Sequence, residues 1–136
     1  MRTMIKNHKV IGIVGSRRRN TPQDKLALLE EFKKIYENGD KICSGGCKQG
    51  GDRFAEEIAK TLGLTEENGG LIIHRPRKVP KGSPYWVHVE AFHDRNSLIA
   101  EECDILLAVV ADDRKGGADN TVTKAKKFKR EVILVQ

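Results

Sequence analysis

The feature that most constrains this chain is a glycine-rich loop that follows a short apolar run and precedes a helical pattern. The loop, SGGCKQGGD from Ser44 to Asp52, has four glycines within seven residues. Glycine leaves backbone N–H groups uncovered, and a helix that begins there adds the positive end of its dipole. Two further loops of this kind, Gly15-Ser16-Arg17 and Lys115-Gly116-Gly117, also follow apolar runs. Three such loops at strand ends predict a nucleotide pocket.

Apolar runs alternate with helical periodicity along the whole chain. The runs predict strands at 10–15, 41–44, 71–74, 105–110 and 132–135, and the periodic segments predict helices over 21–38, through Phe54 to Leu62, over 94–102 and over 121–129. Thr21-Pro22-Gln23-Asp24 is a variant of the capping box, and Gly39 and Gly63 are expected to close the first two helices. The connection from Arg75 to Val87 is predicted to be a lid or a pocket wall.

This strict alternation predicts an α/β fold, namely a Rossmann-like doubly wound parallel sheet of five strands with helices on both faces. The expected strand order is 3-2-1-4-5. In that order the chain leaves strand 1 and strand 4 toward opposite sides, so a crevice opens at their carboxyl ends. We expect one domain over residues 1–136, with the three glycine loops converging on the crevice.

The amino-acid composition limits the kinds of binding partner and the cellular compartment that we expect. The formal net charge of +6 favours an anionic partner, whereas an aromatic content of 5% offers few platforms on which single-stranded nucleic acid could stack. No apolar run approaches the roughly 20 residues of a membrane helix, so we expect a soluble cytoplasmic protein without a membrane partner. Cys43 and Cys103 are expected in the core and Cys47 as an exposed thiol, with no metal site among them.

Four pieces occur in order over nearly the whole chain: Gly15-Ser16-Arg17, then Ser44-Gly45-Gly46 with Gly50-Gly51-Asp52, then Arg95-Asn96, and finally Gly116-Gly117 with Thr121. Together they resemble the SLOG superfamily, which joins the DNA-processing Smf proteins to the Lonely Guy, or lysine-decarboxylase-like, phosphoribohydrolases. They are most similar to its small stand-alone YspA-like and YpsA-like members. The resemblance implies a modified Rossmann domain that binds a nucleotide or nucleotide-derived ligand at these loops and that forms homodimers or higher homo-oligomers.

The predicted ligand-binding residues are Gly15, Ser16, Arg17, Ser44, Gly45, Gly46, Gly50, Gly51, Asp52, Arg95, Asn96, Gly116, Gly117 and Thr121. The four glycines of the second loop either cradle an anion with their amides or only permit a tight turn. Arg17 is expected to bind phosphate oxygens with help from the Ser16 hydroxyl, while Arg18 and Arg19 face water.

Several of these residues, and two aromatic residues outside the set, have alternative roles. Asp52 either caps a helix, bonds a ribose hydroxyl or holds the loop. Arg95, expected in a first helical turn, needs an anionic ligand or a carboxylate such as Asp94 or Glu90. Asn96 and Thr121 bind ligand or cap helices. Tyr85 and Trp86 stack on a base or anchor their loop.

The sequence favours a nucleotide-binding sensor or accessory protein with no resident cofactor. One alternative is a nucleoside 5′-monophosphate phosphoribohydrolase, and another is a Smf-like single-stranded DNA-binding protein. In the phosphoribohydrolases a catalytic glutamate follows the glycines after strand 4, but the stretch from Lys115 to Lys124 contains none. We therefore assign no catalytic residue.

Overall fold

Five short strands alternate with four helices along residues 8–136, which the computed structural model describes. Residues 1–7 of the domain predicted over 1–136 lie outside the described residues. The elements, in chain order, are β1 (Val10–Gly15), α1 (Pro22–Ile35), β2 (Lys41–Ser44), α2 (Gly51–Thr61), β3 (Leu71–Ile73), α3 (Tyr85–Glu102), β4 (Ile105–Val109), α4 (Gly117–Lys127) and β5 (Glu131–Leu134).

The strands form one parallel sheet in the order β3-β2-β1-β4-β5, which confirms the predicted fold class and strand order. The central strand β1 is covered on both faces. Ile11 and Ile13 pack with Phe32 of α1 in one buried cluster, whereas Val14 packs with Ile99 of α3 in the other. Because successive side chains of a strand point to opposite faces, a strand buried on both sides must be apolar at nearly every position.

The first helix begins as predicted and ends earlier. Thr21 and Asp24 form the complete capping box, with the Thr21 side chain accepting a hydrogen bond from the Asp24 backbone N–H at 3.1 Å. The helix stops at Ile35 because Tyr36 is already extended, so Gly39, at φ 100°, lies in the following turn and does not close the helix. Gly63, at φ 76°, directly follows the last turn of α2, as expected.

The third helix differs most from the prediction, because it begins at Tyr85 and not at residue 94. Tyr85 and Trp86 are therefore in its first turn, and the prediction that they stand on a loop is wrong. Arg95 lies in the third turn. The buried residues of α3 are Ala91, Asn96, Ile99 and Ala100, so its first turns contribute no large buried apolar residue that would mark a core-facing side in the sequence.

The fourth helix begins at Gly117, four residues before the predicted start. Thr121 therefore lies within the helix and does not cap it. Gly116 precedes the helix at φ 116°, a conformation that favours glycine. None of the helices in residues 8–136 is both long and apolar enough to span a membrane.

Candidate ligand-binding site

A cleft of about 790 Å³ opens at the carboxyl ends of β1 and β4. One wall is the turn after β1, from Gly15 to Arg18, and the opposite wall is the segment from Lys115 to Asn120 at the start of α4. Helix α3 forms the side, and Cys47 and Asp52 of the β2–α2 connection also reach the cleft. This is the crevice that the strand order creates, because β1 and β4 send the chain in opposite directions.

The structure brings most of the predicted ligand-binding residues to this cleft and leaves some outside it. Those that line it are Gly15, Ser16, Arg17, Asp52, Arg95, Asn96, Gly116, Gly117 and Thr121. Gly45 and Gly46 line a smaller adjacent hollow of about 380 Å³, which shares Arg17, Cys47, Phe92 and Arg95 with the cleft. Ser44, Gly50 and Gly51 line neither hollow.

Gly50 and Gly51 instead allow two stretches of backbone to meet. A Cβ atom on Gly51 would lie 2.3 Å from the backbone nitrogen of Gly15, and one on Gly15 would lie 2.6 Å from the backbone nitrogen of Gly51. Gly50 has φ 71°, and its N–H donates to the Asn20 side chain at 2.7 Å. These two glycines therefore fix the position of α2 against the end of β1, and their N–H groups do not line the cleft.

Asp52 holds the glycine loop in place. Its carboxylate is buried and accepts hydrogen bonds from the Ser44 hydroxyl at 2.8 Å and from the Cys47 backbone N–H at 3.1 Å. The Ser44 hydroxyl also lies 2.7 Å from the carbonyl oxygen of Ile13. Of the three roles considered for Asp52, the observed contacts match that of holding the loop.

Arg95 reaches the glycine loop from α3. Its Nε donates to Asn96 Oδ1 at 3.0 Å, and its Nη1 donates to the carbonyl oxygen of Gly45. Burial lowers the pKa of the Arg95 guanidinium, and the charge of Asp52 opposes this shift. The two contacts leave further N–H groups of the guanidinium available, because arginine has five.

The carboxylates proposed as partners of Arg95 pair with another arginine. Arg77, on the connection after β3, forms ion pairs with both Glu90, at 3.3 Å, and Asp94. The prediction that Glu90 or Asp94 compensates Arg95 is therefore wrong. Both acidic side chains lie on α3 within reach of Arg77, and neither lines the cleft.

Arg17 stands at the mouth of the cleft with an exposed side chain. Its guanidinium forms no hydrogen bond or ion pair with any residue in 8–136. It is close enough to Arg95 for its charge to lower the pKa of that group further. Two like charges at one cleft repel each other, so an anion between them would remove an unfavourable interaction.

Of the two arginines after Arg17, Arg18 faces water as predicted and Arg19 does not. Arg18 forms a two-pronged ion pair with Asp113 at 2.7 and 2.9 Å, and its Nη2 donates to the carbonyl oxygen of Lys115 at 3.1 Å, which connects the two walls of the cleft. Arg19 is mostly buried and donates to Asp24 at 2.9 Å and to the carbonyl oxygen of Val135 at 2.9 Å. The partners of Arg19 lie on the next helix and at the far end of the chain, which explains why its burial was not predicted from the sequence.

Asn96 and Thr121 connect α3 to the first turn of α4. The Asn96 side-chain N–H donates to the carbonyl oxygen of Gly117 at 3.3 Å and to Asn120 Oδ1 at 3.1 Å. The Thr121 hydroxyl donates to the same Gly117 carbonyl at 3.0 Å. Neither side chain caps a helix. Together they orient the amino end of α4, with its free backbone N–H groups, at the cleft.

The cleft residues outside the predicted ligand-binding set include Tyr85, Val89 and Phe92 of α3, of which only Tyr85 was considered as a residue that stacks on a base. They stand at positions i, i+4 and i+7 of α3, a spacing that places side chains on one face of a helix. That signal was present in the sequence. It was not recognised because the helix was predicted to begin at residue 94.

The fold is shared with solved structures of proteins that bind the molybdenum cofactor. The molybdenum cofactor carrier protein from Chlamydomonas reinhardtii is 20% identical, with a TM-score of 0.64 and matches over 94% of this chain and 76% of that chain. The molybdenum cofactor binding protein from the phototrophic bacterium Rippkaea orientalis is 21% identical, with a TM-score of 0.67 over the same shares. No protein-family model and no curated protein matches the sequence.

Proposed function

We propose that this chain is a SLOG-type Rossmann domain that binds a phosphate-bearing, nucleotide-derived small molecule in the cleft between β1 and β4. The observation that supports this most is the pair of guanidinium groups, Arg17 and Arg95, at the same cleft. Arg17 has no partner among the described residues, and Arg95 keeps donors beyond its contacts with Asn96 and Gly45.

A phosphate group satisfies both arginines at once. Its oxygens accept hydrogen bonds from planar guanidinium forks, and its charge offsets the repulsion between Arg17 and Arg95. The amino end of α4 supplies a third favourable element, because its first turn, from Gly117, lines the same cleft. Asp52 keeps its negative charge, but the Arg95 guanidinium interacts favourably with it, and its two oxygens accept from the Ser44 hydroxyl and the Cys47 N–H.

The structural neighbours make the molybdenum cofactor one candidate ligand, because their names describe them as its carrier or binding proteins. The cationic and amide donors of the cleft fit the anionic part of such a molecule, with Arg17, Arg95 and the first turn of α4 as the groups that would hold it. The role of this chain would then be to sense, carry or deliver a bound small molecule.

Isothermal titration with AMP, ADP, ADP-ribose and inorganic phosphate tests the proposal. Replacing Arg17 by alanine is expected to weaken binding by about tenfold to 100-fold, because a hydrogen bond to a charged group contributes roughly 1.5–3 kcal/mol. Arg77→Ala is the matched control, since this arginine is also exposed but pairs with Glu90 and Asp94 outside the cleft lining.

Two results would contradict the proposed function. One is the absence of heat with every ligand and with the molybdenum cofactor itself. The other is an equal loss of affinity in Arg17→Ala and Arg77→Ala, which would show that the overall positive charge attracts the anion and that the cleft does not.

A further inference from the structure

Helix α3 presents an apolar and aromatic face to the cleft. Tyr85, Val89 and Phe92 all line it, and they follow one another at intervals of four and three residues, which puts them on one side of the helix. Tyr85 is 80% exposed and Phe92 is 38% exposed. We call these three side chains the α3 wall.

Comparison with the neighbouring Trp86 shows that exposure alone does not place an aromatic side chain of α3 in the cleft. Trp86 is also exposed, at 65%, but it does not line the cleft. Adjacent residues of a helix point about 100° apart, so the two aromatic side chains cannot serve the same surface. The exposed ring of Tyr85 therefore belongs to the cleft, whereas that of Trp86 does not.

The α3 wall is continuous with the cationic end of the cleft. The Arg95 guanidinium carbon lies 5.8 Å from the centre of the Phe92 ring, and Phe92 also lines the smaller hollow beside Arg17. The cleft, at about 790 Å³, is within the range of roughly 300–1,000 Å³ found for small-molecule sites. A phosphate group alone would occupy only a small part of it, next to the arginines.

We propose that the α3 wall is the ring-binding half of the cleft, and that the ligand has a planar aromatic or heteroaromatic ring joined to its phosphate-bearing part. This inference rests on the proposed function, because Arg17 and Arg95 would hold the anionic end. The ring stacks on Tyr85, with Val89 and Phe92 extending the apolar surface toward Arg95. Offset stacking on tyrosine tolerates different bases, since every base has a π-face.

The test compares ligands that share a phosphate but differ in the ring. Dissociation constants for AMP, FMN and ribose 5-phosphate are measured by isothermal titration on the wild-type chain. AMP or FMN is expected to bind about fivefold to 100-fold more tightly than ribose 5-phosphate, the range of one base stacked on an aromatic side chain.

Two neighbouring variants localise that advantage. Tyr85→Ala is expected to abolish most of it while leaving the affinity for ribose 5-phosphate unchanged, and Tyr85→Phe is expected to retain it. Trp86→Ala is the matched control and should leave all three affinities unchanged. Both residues are exposed in the first turn of α3, so circular dichroism should show each variant folded.

The outcomes separate this inference from the proposed function. Equal wild-type affinities for AMP, FMN and ribose 5-phosphate would overturn the inference while leaving an anion-binding cleft. An effect of Tyr85→Ala no larger than that of Trp86→Ala would overturn it as well. If none of the three ligands binds, the inference fails, and the proposed function fails with it only when ADP, ADP-ribose, inorganic phosphate and the molybdenum cofactor give no heat either.

Discussion

The close approach of α2 to the end of β1 can be tested with a matched pair of glycine substitutions. Gly51 and Gly117 are each the first residue of a helix at the carboxyl edge of the sheet, α2 and α4 respectively. A Cβ atom on Gly51 would lie 2.3 Å from Gly15 N, 2.4 Å from Val14 C and 2.6 Å from Val14 O. On Gly117 the nearest atom would be Asn96 Nδ2 at 3.9 Å, an ordinary contact.

The expected effects on stability have opposite signs. Gly51→Ala forces one methyl group against backbone atoms that cannot rotate away, so we expect a loss near the upper end of the roughly 1–3 kcal/mol typical of overpacking. Gly117→Ala meets no such obstacle and reduces the freedom of the unfolded chain, which is expected to stabilise the protein by up to about 1 kcal/mol. Since folded domains are typically stable by about 5–15 kcal/mol, the first loss is a large fraction of the total.

Thermal unfolding followed by circular dichroism measures both variants against wild type. At about 3–4 °C per kcal/mol for a chain of this size, Gly51→Ala should melt about 10 °C lower, and Gly117→Ala at or slightly above the wild-type temperature. A Gly51→Ala variant as stable as wild type would refute the close approach. Equal losses of stability in the two variants would show that the close backbone contact at Gly51 is not the cause, because Gly117 has no such contact.

Two further predictions concern buried charge and the thiols. Burial alone would raise the pKa of Asp40, but its hydrogen bonds, foremost the one from Lys9, lower it below the ordinary value. Its contribution to stability is therefore present above about pH 4 and is lost as the pH falls through the lowered pKa. Asp40→Asn should have a lower free energy of unfolding in urea than wild type at pH 7. Between pH 5 and 2 that free energy should change less in the variant than in wild type. A thiol reagent should modify Cys47 first in the native protein, since Cys43 is fully buried and burial raises the pKa of Cys103 to about 11. Rapid native reaction of all three thiols would contradict this order, and slower reaction of Cys47 in the presence of AMP would place the ligand at the cleft.

Local patterns in the sequence were sufficient to predict the architecture. Five short apolar runs alternate with segments of helical periodicity, and this alternation specifies a parallel sheet with crossover helices, because parallel neighbours need such connections. The position of the cleft follows from strand order alone. Arg17 was predicted as a ligand-binding residue from its place directly after β1, and Arg95 from the Arg95-Asn96 motif before β4. Arg95 was, however, assigned to the wrong turn of its helix.

Only the tertiary structure decided which groups meet. Arg18 pairs with Asp113 across 95 positions of sequence, and Arg95 reaches the carbonyl of Gly45 across 50. Such pairings depend on how loops from separate strands come together in space, and spacing along the chain does not report them. The start of α3 also depended on tertiary structure, because its first turns place Tyr85 and Phe92 at an open cleft and not in the core. Their helical spacing therefore did not mark a buried face, which is the pattern that predicted the other helices.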